Sequence, residues 1–80
     1  MPTAFVLTTA QEGEIERAID GLSELDNVTE VYSIAGQYDL LIKVQVAEYE
    51  QFADVIPERL QSVDEIDRTE TLMAFKTYKF

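Results

Sequence analysis

Asp39 has the least ordinary neighbourhood of any acid in this chain. It follows Tyr38 and precedes Leu40-Leu41-Ile42, so it stands where a turn gives way to an apolar run. A carboxylate in that place has two uses. It can be aimed at an amine, or it can hydrogen-bond its own loop as turn acids do. Gly36 can take φ > 0 without steric cost and marks the turn itself. A turn needs that glycine but does not need the aromatic-acid pair after it. Thr69 and Thr71 form a second candidate pair. Two residues apart on an extended segment, their hydroxyls share one face. They can meet a bound polar group, or they can reflect the ordinary preference of threonine for strands.

Other chemistry has little to stand on. Histidine and cysteine are both absent. That removes the commonest general base, the commonest transition-metal ligand, thiolate metal sites and disulfides. No Gly-rich phosphate loop follows a strand, and no serine nucleophile has a base. The acids are plentiful, but most fall at helix-surface spacing, which does not show that any two converge for acid-base work. They form no calcium loop of the EF-hand kind. No catalytic residue, cofactor or metal is expected.

Six basic residues stand against sixteen acids, for a formal charge of -10. Such a charge opposes direct nucleic-acid binding, which neutralises phosphates with Lys and Arg. The acids concentrate in two expected helices and read as solvated faces. Of the basic residues, only Lys76 and Lys79 sit close enough in sequence to form a local patch. No apolar run approaches a membrane span, and the N-terminus shows no signal-peptide pattern. A soluble cytoplasmic protein is the expectation.

Eighty residues make one domain, 1–80, with a small core that gains from association. Thr3 to Thr9 reads as a strand with apolar residues on both faces, so both faces should be covered. Thr9-Ala10-Gln11-Glu12 fits a capping box. A helix to about Leu25 follows, with Ile15, Ala18, Ile19, Leu22 and Leu25 as its buried stripe. Gly21 weakens that helix but would let it approach the sheet closely. Val28 to Ile34 is a second strand, with Val28, Glu30, Tyr32 and Ile34 on one face. A Gly36 hairpin leads to a third strand, Leu40 to Val46, with Leu40, Ile42, Val44 and Val46 inward. Ala47 to Gln61 reads as a second helix with a stripe of Tyr49, Phe52, Ala53, Ile56 and Leu60. Pro57 inside it should kink or break it near Val55-Ile56. The last strand runs from about Ile66 to Phe80, with an overhang free to pair with another subunit.

The order βαββαβ specifies an α+β, ferredoxin-like sandwich: a four-stranded antiparallel sheet with two helices on one face. The opposite face carries apolar residues and has no layer of its own. A symmetric partner would supply one, giving a dimerising αβ-sandwich.

Gly36-Gln37-Tyr38-Asp39-Leu40-Leu41-Ile42-Lys43-Val44 and Thr69-Glu70-Thr71-Leu72 resemble the two signature stretches of the Lrp/AsnC effector-binding (RAM) domain. The lead-in from Val31 to Asp39 and the ending Lys76-Thr77-Tyr78-Lys79 also fit, and the likeness spans almost the whole chain. The resemblance implies a homodimer built through the sheets, often a ring of dimers, and an amino-acid effector held between dimers. Carried over residue by residue, the effector site is Gly36, Gln37, Tyr38, Asp39, Thr69 and Thr71. Asp39 would pair with the ligand ammonium, while the loop N–H groups and the two threonine hydroxyls would hold its carboxylate. Members of that family usually carry a helix-turn-helix domain. Here Met1 leads straight into the first strand, so a stand-alone module is expected, acting on transcription or amino-acid metabolism through a full-length DNA-binding relative. Two other classes fit the same element order. One is a small dimeric αβ-barrel monooxygenase, which would hold substrate between sheet and helices. The other is an assembly module with no ligand.

Overall fold

β1 (Thr3–Ala10) is covered on one face along its length, with Ala4, Val6 and Thr8 buried, in the computed structural model of residues 1–80. It is the strand on which the sheet is built. β3 (Leu40–Gln45) pairs with it on one side and β4 (Ile66–Ala74) on the other; β2 (Val28–Ser33) adds beyond β3. The order is β2-β3-β1-β4, antiparallel throughout. Thr3 faces Gln45 and Ala74 at one end of β1, and Thr8 faces Leu40 and Thr69 at the other. With α1 (Ile15–Ser23) and a second helical segment at residues 49–62, this is the expected ferredoxin-like α+β fold.

One side of the sheet holds all the core. Ala4, Val6, Leu40, Ile42, Val44 and Val46 pack against Ala18 and Leu22 of α1 and Phe52, Val55 and Leu60 of the second helical segment. Each such Val or Leu contributes about 1.5–3 kcal/mol by leaving water. The other side presents Phe5, Leu7, Leu41, Tyr32 and Leu72 among Lys43, Gln45 and Glu70; Tyr32 and Leu72 are exposed. None of these five apolar residues joins the core cluster. No helix is long and apolar enough to cross a membrane.

Several local expectations need correction. Thr9 caps no helix, because β1 continues through Ala10 and a bulge between Thr8 and Ala10 turns the Thr9 hydroxyl to accept the Arg68 N–H, at 2.9 Å. A turn at Gly13, with φ of 76°, separates strand from helix. α1 therefore starts at Ile15 and ends at Ser23, and its first apolar residue, Ile15, is exposed. A reciprocal cap forms instead at the second helical segment, where the Glu48 N–H donates to Gln51 Oε1 at 2.8 Å. β2 is bulged between Val28 and Glu30, so Val28 leaves the Glu30–Tyr32 face and packs on the core with Val31.

The second helical segment is irregular, as Pro57 requires. A 3-10 turn (Tyr49–Gln51) and an α turn (Phe52–Asp54) give way to a π turn (Val55–Arg59) and a closing 3-10 turn (Leu60–Ser62). The wider turn accommodates a residue with no N–H and shifts the helix phase. Val55 is buried in place of Ala53, and Tyr49 stays exposed, its ring edge-on to Phe52 at 5.5 Å. β4 ends at Ala74; residues 75–80 are not strand. Gly21 does serve close approach, but to Val63 rather than to the sheet. A Cβ there would lie 3.1 Å from Val63 Cγ1.

Candidate functional site

The hairpin between β2 and β3 closes through one main-chain bond, Ile34 N–H to the Asp39 carbonyl at 2.9 Å. Gly36 sits at its tip with φ of 141°, a conformation that side chains with a Cβ rarely adopt. Nothing lies within 4 Å of where its Cβ would stand, so the glycine answers to backbone angle and not to crowding.

Asp39 is anchored three ways. Its N–H donates to the Thr8 carbonyl at 2.9 Å, its carbonyl takes the Ile34 bond, and its Oδ2 accepts the Ala10 N–H at 3.0 Å. The last bond spans the bulge in β1, where the regular ladder leaves that N–H without a partner in β3. The acid thus stitches the hairpin to the neighbouring strand, beyond its own loop. One carboxylate oxygen is committed to that task, and Oδ1 is left for other partners.

Tyr38 reaches over the end of β1 to β4, where its hydroxyl donates to Glu70 Oε1 at 2.8 Å. The bond holds the phenolic proton and raises the Tyr38 pKa above 10.0, with smaller contributions from burial and from the Glu70 charge, partly offset by Arg68. Tyr32 behaves alike on the same face: its hydroxyl donates to Glu30 Oε1 at 2.9 Å, and its pKa is raised first by that bond and then by the charge.

Thr69 and Thr71 do share a face. They pair with Thr8 and Val6, whose side chains are buried, so both point to the helix side of the sheet. Thr69 Oγ1 accepts a bond from Gln61 Nε2 at 3.1 Å. Of the six expected site residues, Asp39 and Thr69 flank Thr8 from either side at one end of the sheet, while Thr71 faces Val6, nearer the middle of β1. The six do not form one cavity in a single chain. Tyr38 lies with Glu70 on the open face, and the threonines lie on the other. The three cavities of the protomer are lined by none of the six. Sequence reasoning missed Glu70 and Gln61 as the partners of Tyr38 and Thr69. Alternation along β4 puts Glu70 on the open face, but no spacing rule links it to a residue 32 positions away.

A monooxygenase would hold substrate between sheet and helices. That space is filled: Val6, Leu22, Leu40, Ile42 and Val44 are all at 0% exposure.

A family model described as the Lrp/AsnC ligand binding domain matches residues 3–80. Over 96% of its length the chain is 30% identical to an uncharacterised HTH-type transcriptional regulator of Pyrococcus furiosus, covering 53% of that protein. A crystal structure from Thermus thermophilus superposes with a TM-score of 0.89 at 38% identity, each chain covered in full. The E. coli AsnC structure superposes with a TM-score of 0.90 at 29% identity, over 99% of this chain and 54% of that one. The chain thus spans about half the length of the curated relatives it matches over most of its own.

Proposed function

This chain belongs to the Lrp/AsnC ligand-binding domain family, a family of transcriptional regulators and not of enzymes, and from that premise we propose that it senses an amino acid and assembles in response to it. The observation that carries the reading is that Asp39 and Thr69 flank Thr8 at one end of the sheet, with Tyr38 bonded across to Glu70 and none of them lining a cavity of the protomer. A neighbouring dimer, closing over this end of the sheet, supplies the enclosing wall in the proposal.

In this proposal Asp39 Oδ1 pairs with the ligand ammonium, while Oδ2 keeps the Ala10 bond. Main-chain N–H groups of Gly36 and Gln37 hold the carboxylate, together with Thr71 and, once released by Gln61, Thr69. Tyr38 borders the ligand and is set in place by Glu70. A site completed only between copies couples occupancy to assembly, because the ligand favours whichever arrangement finishes its pocket. The charge of -10 argues against this chain touching DNA itself. The proposal assigns that contact to a full-length helix-turn-helix relative that associates with it.

The test is a thermal-stability scan with each of the common amino acids, with light scattering on the same samples. A ligand at 100 times its dissociation constant adds about 2.7 kcal/mol. One amino acid that raises stability and changes the scattering mass together is the expected result. No response to any of them at millimolar concentration sinks the sensor reading in favour of a ligand-free assembly module.

A further inference from the structure

Among the paired strand residues only two are acids, Glu30 and Glu70, although the chain holds sixteen. Both stand on the open face of the sheet, on its two outer strands. The register sets that face in rows. One runs Tyr32, Leu41, Leu7, Glu70 from β2 to β4, and the next runs Glu30, Lys43, Phe5, Leu72. The middle of the face is therefore apolar apart from Lys43, and an acid closes it on either side. Each acid accepts a tyrosine hydroxyl: Glu30 from Tyr32 at 2.9 Å, and Glu70 from Tyr38 at 2.8 Å. Glu30 has a further partner in Lys43 Nζ, at 3.7 Å. Glu70 forms no ion pair, and Tyr38 is its one side-chain partner. The two caps differ in origin. Tyr32 lies two residues from Glu30 on one strand, so that pair shares a face wherever β2 forms. Tyr38 belongs to the hairpin and reaches its acid from 32 positions away. Its hold on Glu70 depends on where the hairpin sits.

We propose that Tyr38 links the hairpin to self-association: it caps Glu70 so that a second copy of this chain can cover the open face. The occupant follows from charge. Copies of a chain at -10 repel one another over most of their surface, whereas the paired strands of this face offer only two acids, both already partnered. Covering a carboxylate with an apolar layer is costly unless hydrogen bonds replace its water. The Tyr38 phenol supplies one such bond and adds no charge. A hairpin drawn away from β4 leaves Glu70 bare, and the same face then resists cover. This role rests on the assembly proposed above, and it names the residue pair through which the hairpin acts on that assembly.

The experiment is sedimentation equilibrium of the whole chain, without ligand, for the parent, Tyr38→Phe, Glu70→Gln and the two changes together. Tyr38→Phe keeps the ring and removes the donor, and it should weaken self-association roughly tenfold or more. Glu70→Gln alone should associate at least as tightly as the parent. The double variant has no charge left to desolvate, so it should return to within about threefold of the parent. It lacks the same bond as Tyr38→Phe, so this rescue separates an uncapped charge from a loosened fold. A Tyr38→Phe chain that associates as the parent does overturns the proposal. So does a double variant as weak as Tyr38→Phe, or a Glu70→Gln chain that loses association to the same extent. A parent that stays monomeric at every concentration removes the assembly reading and this link together. A parent that associates while Tyr38→Phe matches it removes the link alone.

Discussion

Tyr38 and Glu70 lie on opposite sides of β1, and the 2.8 Å bond between them ties the β2–β3 hairpin to the far edge of the sheet. Folding favours the protonated phenol, because the bond needs its proton. The folded-state pKa is raised above 10.0, so this contribution to stability is full below pH 10 and is lost as pH rises through the raised value. The expected result is a urea midpoint for the parent above that of Tyr38→Phe at neutral pH, with the gap closing in strong alkali. Phenolate absorbance in a Tyr32→Phe background should show Tyr38 titrating late, and Glu70→Gln should bring it earlier. A gap that does not change with pH would break the link.

Asp39 does structural work whatever it binds. Asp39→Ala leaves the Ala10 N–H without its acceptor and should cost about 1–3 kcal/mol. Asp39→Asn keeps an acceptor and removes the charge, so it should cost less. If the ammonium pairing holds, both variants lose the amino-acid response, and Asn loses it while staying nearly as stable as the parent. Calorimetric melting with and without the responding amino acid separates the two effects. An Asn variant that still binds as the parent does would end the ammonium assignment.

Gly21 sets two effects against each other. Alanine there gains about 1 kcal/mol of helix propensity. Its Cβ would also press on Val63 at 3.1 Å, in a nearly buried position. Gly21→Ala should therefore shift stability by less than about 1 kcal/mol. In a Val63→Ala background the same change should stabilise by about 1 kcal/mol, since the obstacle is gone. A double-mutant cycle by urea denaturation measures the difference; a zero coupling would mean that the helix slides freely.

Much of the scaffold was legible because periodicity survives burial. Leu40, Ile42 and Val44 alternate cleanly, and β3 lies where they place it. Gly36 announced the hairpin, and Pro57 announced the break in the second helical segment. What escaped were the places where one residue shifts phase. The bulges beside Thr9 and Thr29 reverse a strand's facing without any change in composition. The π turn does the same for Val55 against Ala53. At the candidate site, the sequence marked the residues but not their neighbours. The Ala10 N–H that holds Asp39 comes from a strand 29 positions away, and Gln61 reaches Thr69 from a different element, eight positions back. Backbone donors leave no trace in a residue pattern.

Leu22 and Leu41 offer a contrast within one fold. Leu22 is fully buried between helix and sheet, so Leu22→Ala should cost about 2–5 kcal/mol. Leu41 faces the open side, outside the core cluster, and Leu41→Ala should cost about 0.5 kcal/mol or less in a dilute monomer. Under the proposed assembly it should weaken association instead, which sedimentation against concentration would reveal. Equal losses from both would mean that the open face already bears on the protomer's own stability.

The one-sided core carries a wider implication. Folding draws on residues that never meet another molecule, while Phe5, Leu7, Leu41 and Leu72 contribute nothing to the cluster that holds the chain together. Selection can therefore rewrite the outer surface, exchanging one companion for another, without disturbing the architecture beneath.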